Sequence, residues 1–83
     1  MSVVKHPLST EKSIRLMESQ NKLVFVVERT ATRNQIKDEL QKLFNAKIVA
    51  VNTHIAPDGV KRAYVQFHPE TPALDVATKL GLM

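Results

Sequence analysis

The sequence lacks several features that mark common functional classes. It contains no cysteine, which excludes disulfide bonds and thiolate metal sites. Its two glycines, Gly59 and Gly81, cannot form a glycine-rich phosphate-binding loop. Its longest apolar stretch runs from Leu23 to Val27, far short of the roughly 20 residues that a membrane-spanning helix needs. The N-terminal segment has no apolar stretch typical of a signal peptide, so we expect the protein to stay inside the cell.

Length and charge indicate one small, mildly basic domain. The 83 residues suffice for a single domain over residues 1–83, with a small hydrophobic core. Twelve lysines and arginines stand against eight aspartates and glutamates, which gives a net charge of +4 at pH 7. This excess favours polyanionic partners such as nucleic acids only weakly, because many soluble proteins carry a similar charge.

Two helices are predicted in the first half of the chain. Ser9 or Thr10 is expected to cap a helix that runs to about Glu18. Thr32 and the glutamine three residues later have the spacing of a capping box, which predicts a helix that ends near Phe44. The apolar residues expected to share the buried faces are Ile14 and Met17 in the first helix, and Ile36, Leu40, Leu43 and Phe44 in the second.

A third helix is predicted near the C-terminus. Thr71 is expected to cap it, with Pro72 at its first position and Gly81 just beyond its end. Its buried stripe is expected to consist of Leu74, Ala77 and Leu80.

Three strands are predicted between these helices. The segment from Asn21 to Glu28 is apolar at both odd and even positions, which is typical of a central strand covered on both sides. Lys47 to Ile55 and Val60 to His68 flank the turn sequence Pro57-Asp58-Gly59, which predicts an antiparallel hairpin. The order of elements indicates an α+β domain, with helices packed on an antiparallel sheet of three to four strands, as in a ferredoxin-like or RRM-like α-β plait.

The sequence contains no recognisable catalytic or metal-binding motif. His6, His54 and His68 are isolated, and none has a second ligand three or four residues away. Asp38 and Glu39 are adjacent on a predicted helix, where neighbours do not share a face, so we expect them to be solvated charges. We therefore expect no catalytic residue, no cofactor and no bound metal.

Basic and polar residues gather instead at the ends of the predicted elements. The candidate RNA-binding residues are Lys5, His6, Lys12 and Arg15 around the first helix, Asn52, Thr53 and His54 late in one hairpin strand, and Lys61 and Arg62 after the turn. Cations neutralise phosphates, while amides and hydroxyls bind phosphate and sugar oxygens. For Asn52 a second interpretation stays open, in which the amide caps a bulge or satisfies the hairpin backbone.

Five sequence blocks also occur in a specific order and spacing. They are His6-Pro7 with Thr10-Glu11-Lys12; Asn21-Lys22-Leu23; Ala31-Thr32 with Ile36-Lys37 and Leu43-Phe44; Val51-Asn52-Thr53; and Gly59 with Lys61-Arg62-Ala63-Tyr64-Val65. Together they resemble the ribosomal protein L23 family over nearly the whole chain. The tail from Val76 to Gly81 resembles the archaeal branch of that family.

This resemblance implies both a fold and a function. It implies a sheet of about four strands with helices on both faces, whose first strand would be Val3-Val4. It implies a structural, non-enzymatic protein of the large ribosomal subunit in the cytoplasm, which binds ribosomal RNA near the polypeptide exit tunnel. Its implied partners are that RNA, neighbouring ribosomal proteins, and nascent-chain factors such as the signal recognition particle, with no membrane and no small-molecule substrate.

Glu11 holds the position of a family residue that binds a partner. In bacterial relatives the glutamate of the Ser/Thr-Glu-Lys block contacts a ribosome-bound chaperone, so the resemblance implies a docking role for Glu11. The alternative is that Glu11 only favours the positive end of the helix dipole. Bacterial relatives also carry a long basic loop that reaches into the tunnel, whereas here Ala56-Pro57-Asp58-Gly59 closes the hairpin at once.

Two other functions compete with the ribosomal one. The first is an RRM-like module that binds single-stranded RNA, because Ala63 to Phe67 matches the end of the RNP1 pattern and bases would stack on Phe25 and Tyr64. The second is a small ferredoxin-like enzyme or metabolite-binding domain, which would need an anion cradle.

Overall fold

A computed structural model describes residues 3–81 and contains four strands and three helices. The strands are β1 (Val4–Pro7), β2 (Lys22–Val27), β3 (Ile48–Ile55) and β4 (Lys61–Phe67). The helices are α1 (Glu11–Gln20), α2 (Arg33–Phe44) and α3 (Ala73–Lys79). All strand pairs are antiparallel, in the order β1-β2-β4-β3. The predicted α+β fold, with its ferredoxin-like arrangement, is confirmed, and the first strand covers Val4–Pro7 rather than Val3-Val4.

One face of the sheet carries the hydrophobic core, and we call it the core face. Leu23, Phe25 and Val27 of β2 lie on it and are each less than 5% exposed. All three helices contribute to the same core cluster, and their buried apolar residues are Met17, Ile36, Leu40, Ala73, Val76 and Ala77. Val24 and Val26, on the opposite side of β2, are also buried, at 3% and 9% exposed. The prediction that this strand is central and buried on both sides is confirmed. The implied placement of helices on both faces is wrong, because the buried apolar residues of α1, α2 and α3 all belong to the core-face cluster.

The first two predicted helix caps are confirmed and the third is wrong. The Thr10 hydroxyl accepts a hydrogen bond from the Ser13 N–H at 3.2 Å, and Thr32 forms the predicted capping box with the glutamine three residues later. Thr71 does not cap α3; Pro72 holds the N-cap position without a side-chain hydrogen bond. The Thr71 hydroxyl instead accepts the Lys47 N–H at 3.2 Å, so it ties the segment before α3 to the start of β3.

Three residues assigned to buried helix stripes are exposed instead. Ile14 is 37% exposed, Leu43 63% and Leu74 50%. The buried side chains of α1 are Ser13 and Met17, and those of α2 are Ile36 and Leu40, so both stripes follow a spacing of four residues. In α3 the buried residues are Ala73, Val76 and Ala77. These three residues form the buried face of α3, and Leu74 lies outside it.

Asn21 joins three elements that are distant in sequence. It ends α1 with a left-handed backbone at φ 55°. Its side-chain amide nitrogen donates to the carbonyl oxygens of Phe67, His68 and Thr71 at 3.0, 3.2 and 3.2 Å. Its side-chain oxygen accepts the Ala73 N–H at 2.6 Å. One amide thereby fixes the end of α1 to the end of β4 and the start of α3.

The β3–β4 hairpin closes as the turn sequence predicts. The Ala56 N–H donates to the Val60 carbonyl at 2.9 Å, and the Gly59 N–H donates to the Ala56 carbonyl at 2.8 Å. Gly59 has φ +85°, a conformation that glycine adopts without strain. Asp58 accepts the Val60 N–H at 3.0 Å, as expected for an aspartate in a turn.

Glu39 is a half-buried carboxylate that binds the edge of the sheet. Its two oxygens accept the N–H groups of Val3 and Val4 at 3.0 and 2.9 Å. The expectation that Glu39 is a solvated charge is therefore wrong, because it anchors β1 to α2. Among residues 3–81, no helix combines the length and apolar character needed to span a membrane.

Candidate RNA-binding surface

The face of the sheet opposite the core face displays polar and basic side chains in register, and we call it the outer face. Its three rows of paired residues are His6, Val26, Arg62 and His54; Val24, Tyr64 and Asn52; and Lys22, Gln66 and Ala50. Neighbouring strands lie about 4.8 Å apart, so the first row spans about 15 Å from β1 to β3. The outer face is therefore wide enough to meet an extended partner.

The strands that form this face contain no acidic residue. None of the sequences of β1 to β4 includes aspartate or glutamate. The eight carboxylate side chains of the chain all belong to helices or connecting segments. The net charge of the chain is modest. The strands nevertheless contain no carboxylate that could neutralise their own lysine and arginine side chains. Such a distribution favours contact with a polyanion on this face.

The structure brings together five of the nine predicted RNA-binding residues. His6, Asn52, His54 and Arg62 all lie on the outer face. Lys12 of α1 lines a concavity that Arg62 also lines, so it stands at the border of the same face. These five residues come from four separate elements of the chain. The sheet therefore gathers them into a single surface.

Thr53 and Lys61 lie on the other side of the sheet. Thr53 pairs with Ala63, and Lys61 pairs with Val27, and both of these partners belong to the core face. The Lys61 ammonium donates to the Ala31 carbonyl oxygen at 2.6 Å. Side chains alternate between faces along a strand, which separates Lys61 from its neighbour Arg62. Lys61 thus has a structural contact that the sequence did not indicate.

Lys5 and Arg15 take part in exposed ion pairs. Lys5 lies 3.9 Å from Glu28, and Arg15 lies 3.1 Å from Glu11 at a spacing of four residues on α1. Pairs of this kind contribute little to stability, so both cations can exchange their partner for a phosphate at small cost. The Glu11 side chain is 85% exposed in the first turn of α1. Its position is compatible both with the helix-dipole role and with docking of a partner.

Asn52 has no structural task among the described residues. It is exposed, and its amide forms no hydrogen bond within residues 3–81. The irregularity in β3 lies between Ile48 and Ala50, away from Asn52. The interpretation that Asn52 caps a bulge or satisfies the hairpin is therefore not supported, and its amide is available to a partner.

Three further outer-face residues were not among the sequence-based candidates. They are Lys22, Tyr64 and Gln66. The alternation of β4 provides the signal that could have identified two of them, because Tyr64 and Gln66 follow Arg62 at intervals of two residues. Gln66 offers an amide on this face.

Only one of the two aromatic residues needed by the RRM-like alternative lies on the outer face. Phe25 is 1% exposed and belongs to the core cluster, whereas Tyr64 lies on the outer face. Two aromatic rings on opposite faces of a sheet cannot stack successive bases of one strand. The prediction that RNA bases stack on Phe25 in that alternative is wrong.

The histidines do not converge on a common point. His6 and His54 lie on opposite edge strands, and His68 Nδ1 accepts the Glu70 N–H at 3.1 Å. Within residues 3–81, no group of three or more histidine or acidic side chains is arranged to hold a metal ion.

Comparison with known proteins identifies the family. The family model described as "Ribosomal protein L23" matches residues 2–74. The chain is also 46% identical over 80 residues to the large ribosomal subunit protein uL23 of the archaeon Methanococcus vannielii. The aligned residues cover 96% of this chain and 93% of that protein. Members of this family are structural components of the ribosome in the cytoplasm and serve translation without being enzymes. The resemblance drawn from the five sequence blocks is confirmed, and this chain belongs to the ribosomal protein L23 family.

Proposed function

We propose that this protein is a structural constituent of the large ribosomal subunit and binds large-subunit ribosomal RNA through its outer face. The observation that carries the proposal is the convergence of His6, Asn52, His54 and Arg62 on a face whose strands hold no carboxylate. Membership of the ribosomal protein L23 family supports an RNA partner of this kind. The chain would act as one RNA-binding domain over residues 1–83.

Binding would be passive and largely electrostatic. Cations that neutralise phosphates release condensed counterions, so the affinity depends steeply on salt. Folded ribosomal RNA would be recognised mainly through its shape, phosphates and 2′-hydroxyls, to which the Asn52 and Gln66 amides also bind. The sheet holds these side chains in fixed rows before binding, which reduces the entropy lost on association.

The place of the protein in the subunit and its docking role form the second part of the proposal. The protein would lie near the polypeptide exit tunnel, next to other ribosomal proteins, and would help to form a docking site for the signal recognition particle and other nascent-chain factors. The exposed Glu11 carboxylate supports such a contact on α1. The β3–β4 connection covers residues 56–60, so this hairpin would contribute to the outer end of the tunnel rather than reach into it.

The direct test is the salt dependence of RNA binding. The purified protein would be titrated with large-subunit ribosomal RNA from Methanococcus vannielii, with small-subunit ribosomal RNA as the control. With roughly four or more phosphate contacts, the affinity should fall about 100-fold or more between roughly 50 and 250 mM salt. A change of less than about threefold, or equal affinity for both RNAs, would contradict the proposal. Co-sedimentation with large subunits after a moderate salt wash would test the assembly itself.

A further inference from the structure

A concavity lies where α1 meets the outer face. Lys12 and Leu16 line it from α1, where a spacing of four residues places them one above the other. Arg62 and Tyr64 line it from β4, and Val24, the register partner of Tyr64, lies at its base. The remaining lining residues are Leu8, Thr10 and Ser13. The concavity thus has an apolar floor, an aromatic wall and two cations.

The two cations in this concavity are not neutralised by the protein. No carboxylate lines the concavity. The three ion pairs of the described chain lie elsewhere, at Lys5, Arg15 and Lys47. Among the described residues, Arg62 Nε is the one buried side-chain nitrogen or oxygen atom that has no hydrogen-bond partner. Because the protein encloses this atom, the case for an anion rests on the charges of Lys12 and Arg62, which line the concavity and take part in none of these ion pairs.

The size and chemistry of the concavity suit a group larger than water. Its volume is about 160 Å³, several times the roughly 30 Å³ that one water molecule occupies in the liquid. A larger concavity of about 800 Å³ lies at the other end of α1, but it is lined by Glu18 and by no lysine or arginine. Of these two concavities, only the one beside Arg62 combines positive charge with an aromatic ring.

We propose that this concavity binds one unstacked nucleotide of the ribosomal RNA. The base would pack on the Tyr64 ring and the apolar floor, and its phosphate would lie against Lys12 and Arg62. Unstacked bases in RNA loops and bulges commonly stack on aromatic side chains or on arginine guanidinium groups. The proposal rests on the RNA-binding function stated above and adds a contact with a base, which phosphate binding alone does not require. Among the paired rows of the outer face, Tyr64 supplies the one aromatic ring, which suits one nucleotide rather than a continuous single strand.

Stacking and charge contacts can be separated by their salt dependence. Tyr64→Leu removes the ring, and its affinity for the Methanococcus vannielii large-subunit RNA should fall by roughly tenfold or more, with an unchanged slope against salt. Tyr64→Phe keeps the ring and should bind within about twofold of wild type. Thermal unfolding of both variants would confirm that the fold is retained. In parallel, nucleoside 5′-monophosphates should shift the amide resonances of Lys12, Leu16 and Tyr64 more than inorganic phosphate does.

The outcomes distinguish this proposal from the function on which it depends. If wild type binds the RNA with the expected salt dependence, but Tyr64→Leu binds within twofold of it, the nucleotide pocket is wrong and the RNA-binding function stands. Identical resonance shifts with a nucleotide and with inorganic phosphate would also overturn the pocket. If wild type itself fails to bind the large-subunit RNA, the function proposed above is wrong, and this inference falls with it.

Discussion

The two faces of the sheet are built from the same strands but differ completely in chemistry. On the core face, Phe25 and Val65 are 1% and 0% exposed and pack beneath three helices. On the outer face, the same two strands present Arg62, Tyr64 and Gln66 next to two buried valines. Because side chains alternate, one residue of offset decides whether a position serves the fold or the partner. It follows that outer-face side chains can be substituted without altering the packing of the core.

We expect the largest loss of stability from a substitution on the core face. Phe25→Ala should lower the free energy of unfolding by about 3–5 kcal/mol, because it removes a fully buried ring and leaves a cavity. Urea denaturation would measure the change. Leu43→Ala, at a position 63% exposed, is the control and should change stability by less than about 1 kcal/mol. Equal denaturation midpoints for the two variants would contradict the assignment of the core.

The next effect concerns the side-chain amide that holds one end of the sheet. Asn21→Gly keeps the left-handed backbone but removes four hydrogen bonds, so it should cost about 2–3 kcal/mol. Asn45→Gly is a matched control, because Asn45 also ends a helix at positive φ, yet its side chain forms no hydrogen bond with residues 3–81. It should change stability by less than about 0.5 kcal/mol.

The Asn21→Gly variant also tests whether RNA binding on the outer face is independent of packing on the core face. Under conditions where Asn21→Gly remains folded, its affinity for ribosomal RNA should match that of wild type. Weaker RNA binding by the folded variant would show that the outer face depends on the packing at the end of β4, and the comparison would break down.

The smallest expected effect is at Glu11. Glu11→Gln removes an exposed ion pair with Arg15, so the free energy of unfolding should fall by less than about 0.5 kcal/mol. RNA affinity should not decrease, since Glu11 is an acidic residue. Binding of the signal recognition particle to ribosomes that carry the variant should weaken if Glu11 docks that factor. Unchanged factor binding would leave Glu11 with the helix-dipole role alone.

Local signals predicted much of the fold from the sequence. The capping box at Thr32, the turn at Gly59 and the two-sided apolar pattern of β2 depend on residues close in the chain, and all were confirmed. The contacts of Asn21 could not be predicted, because its partners lie 46 to 52 residues away. Helical periodicity predicts Leu74 on the buried face of α3, but Ala73, Val76 and Ala77 pack there and Leu74 is exposed.

The RNA-binding candidates were predicted as residue types rather than as a surface. The sequence indicated Lys61 and Arg62 together as two cations after a turn. The alternation of β4 places them on opposite faces, and Lys61 donates to the Ala31 carbonyl oxygen. The sequence indicates a binding role for Tyr64 only in the RRM-like alternative. Its position beside Lys12 and Arg62 depends on how α1 meets the sheet, which no local pattern encodes.

The most direct test of the two-face account compares these neighbouring cations. Arg62→Gln and Lys61→Gln remove the same charge at adjacent positions, and the measurement is the salt dependence of binding to large-subunit ribosomal RNA. Arg62→Gln should reduce the slope of log affinity against log salt by about one. Lys61→Gln should leave the slope unchanged and lower the free energy of unfolding by about 1 kcal/mol through loss of the bond to Ala31. Equal slopes for the two variants would contradict the division of binding and folding between the two faces.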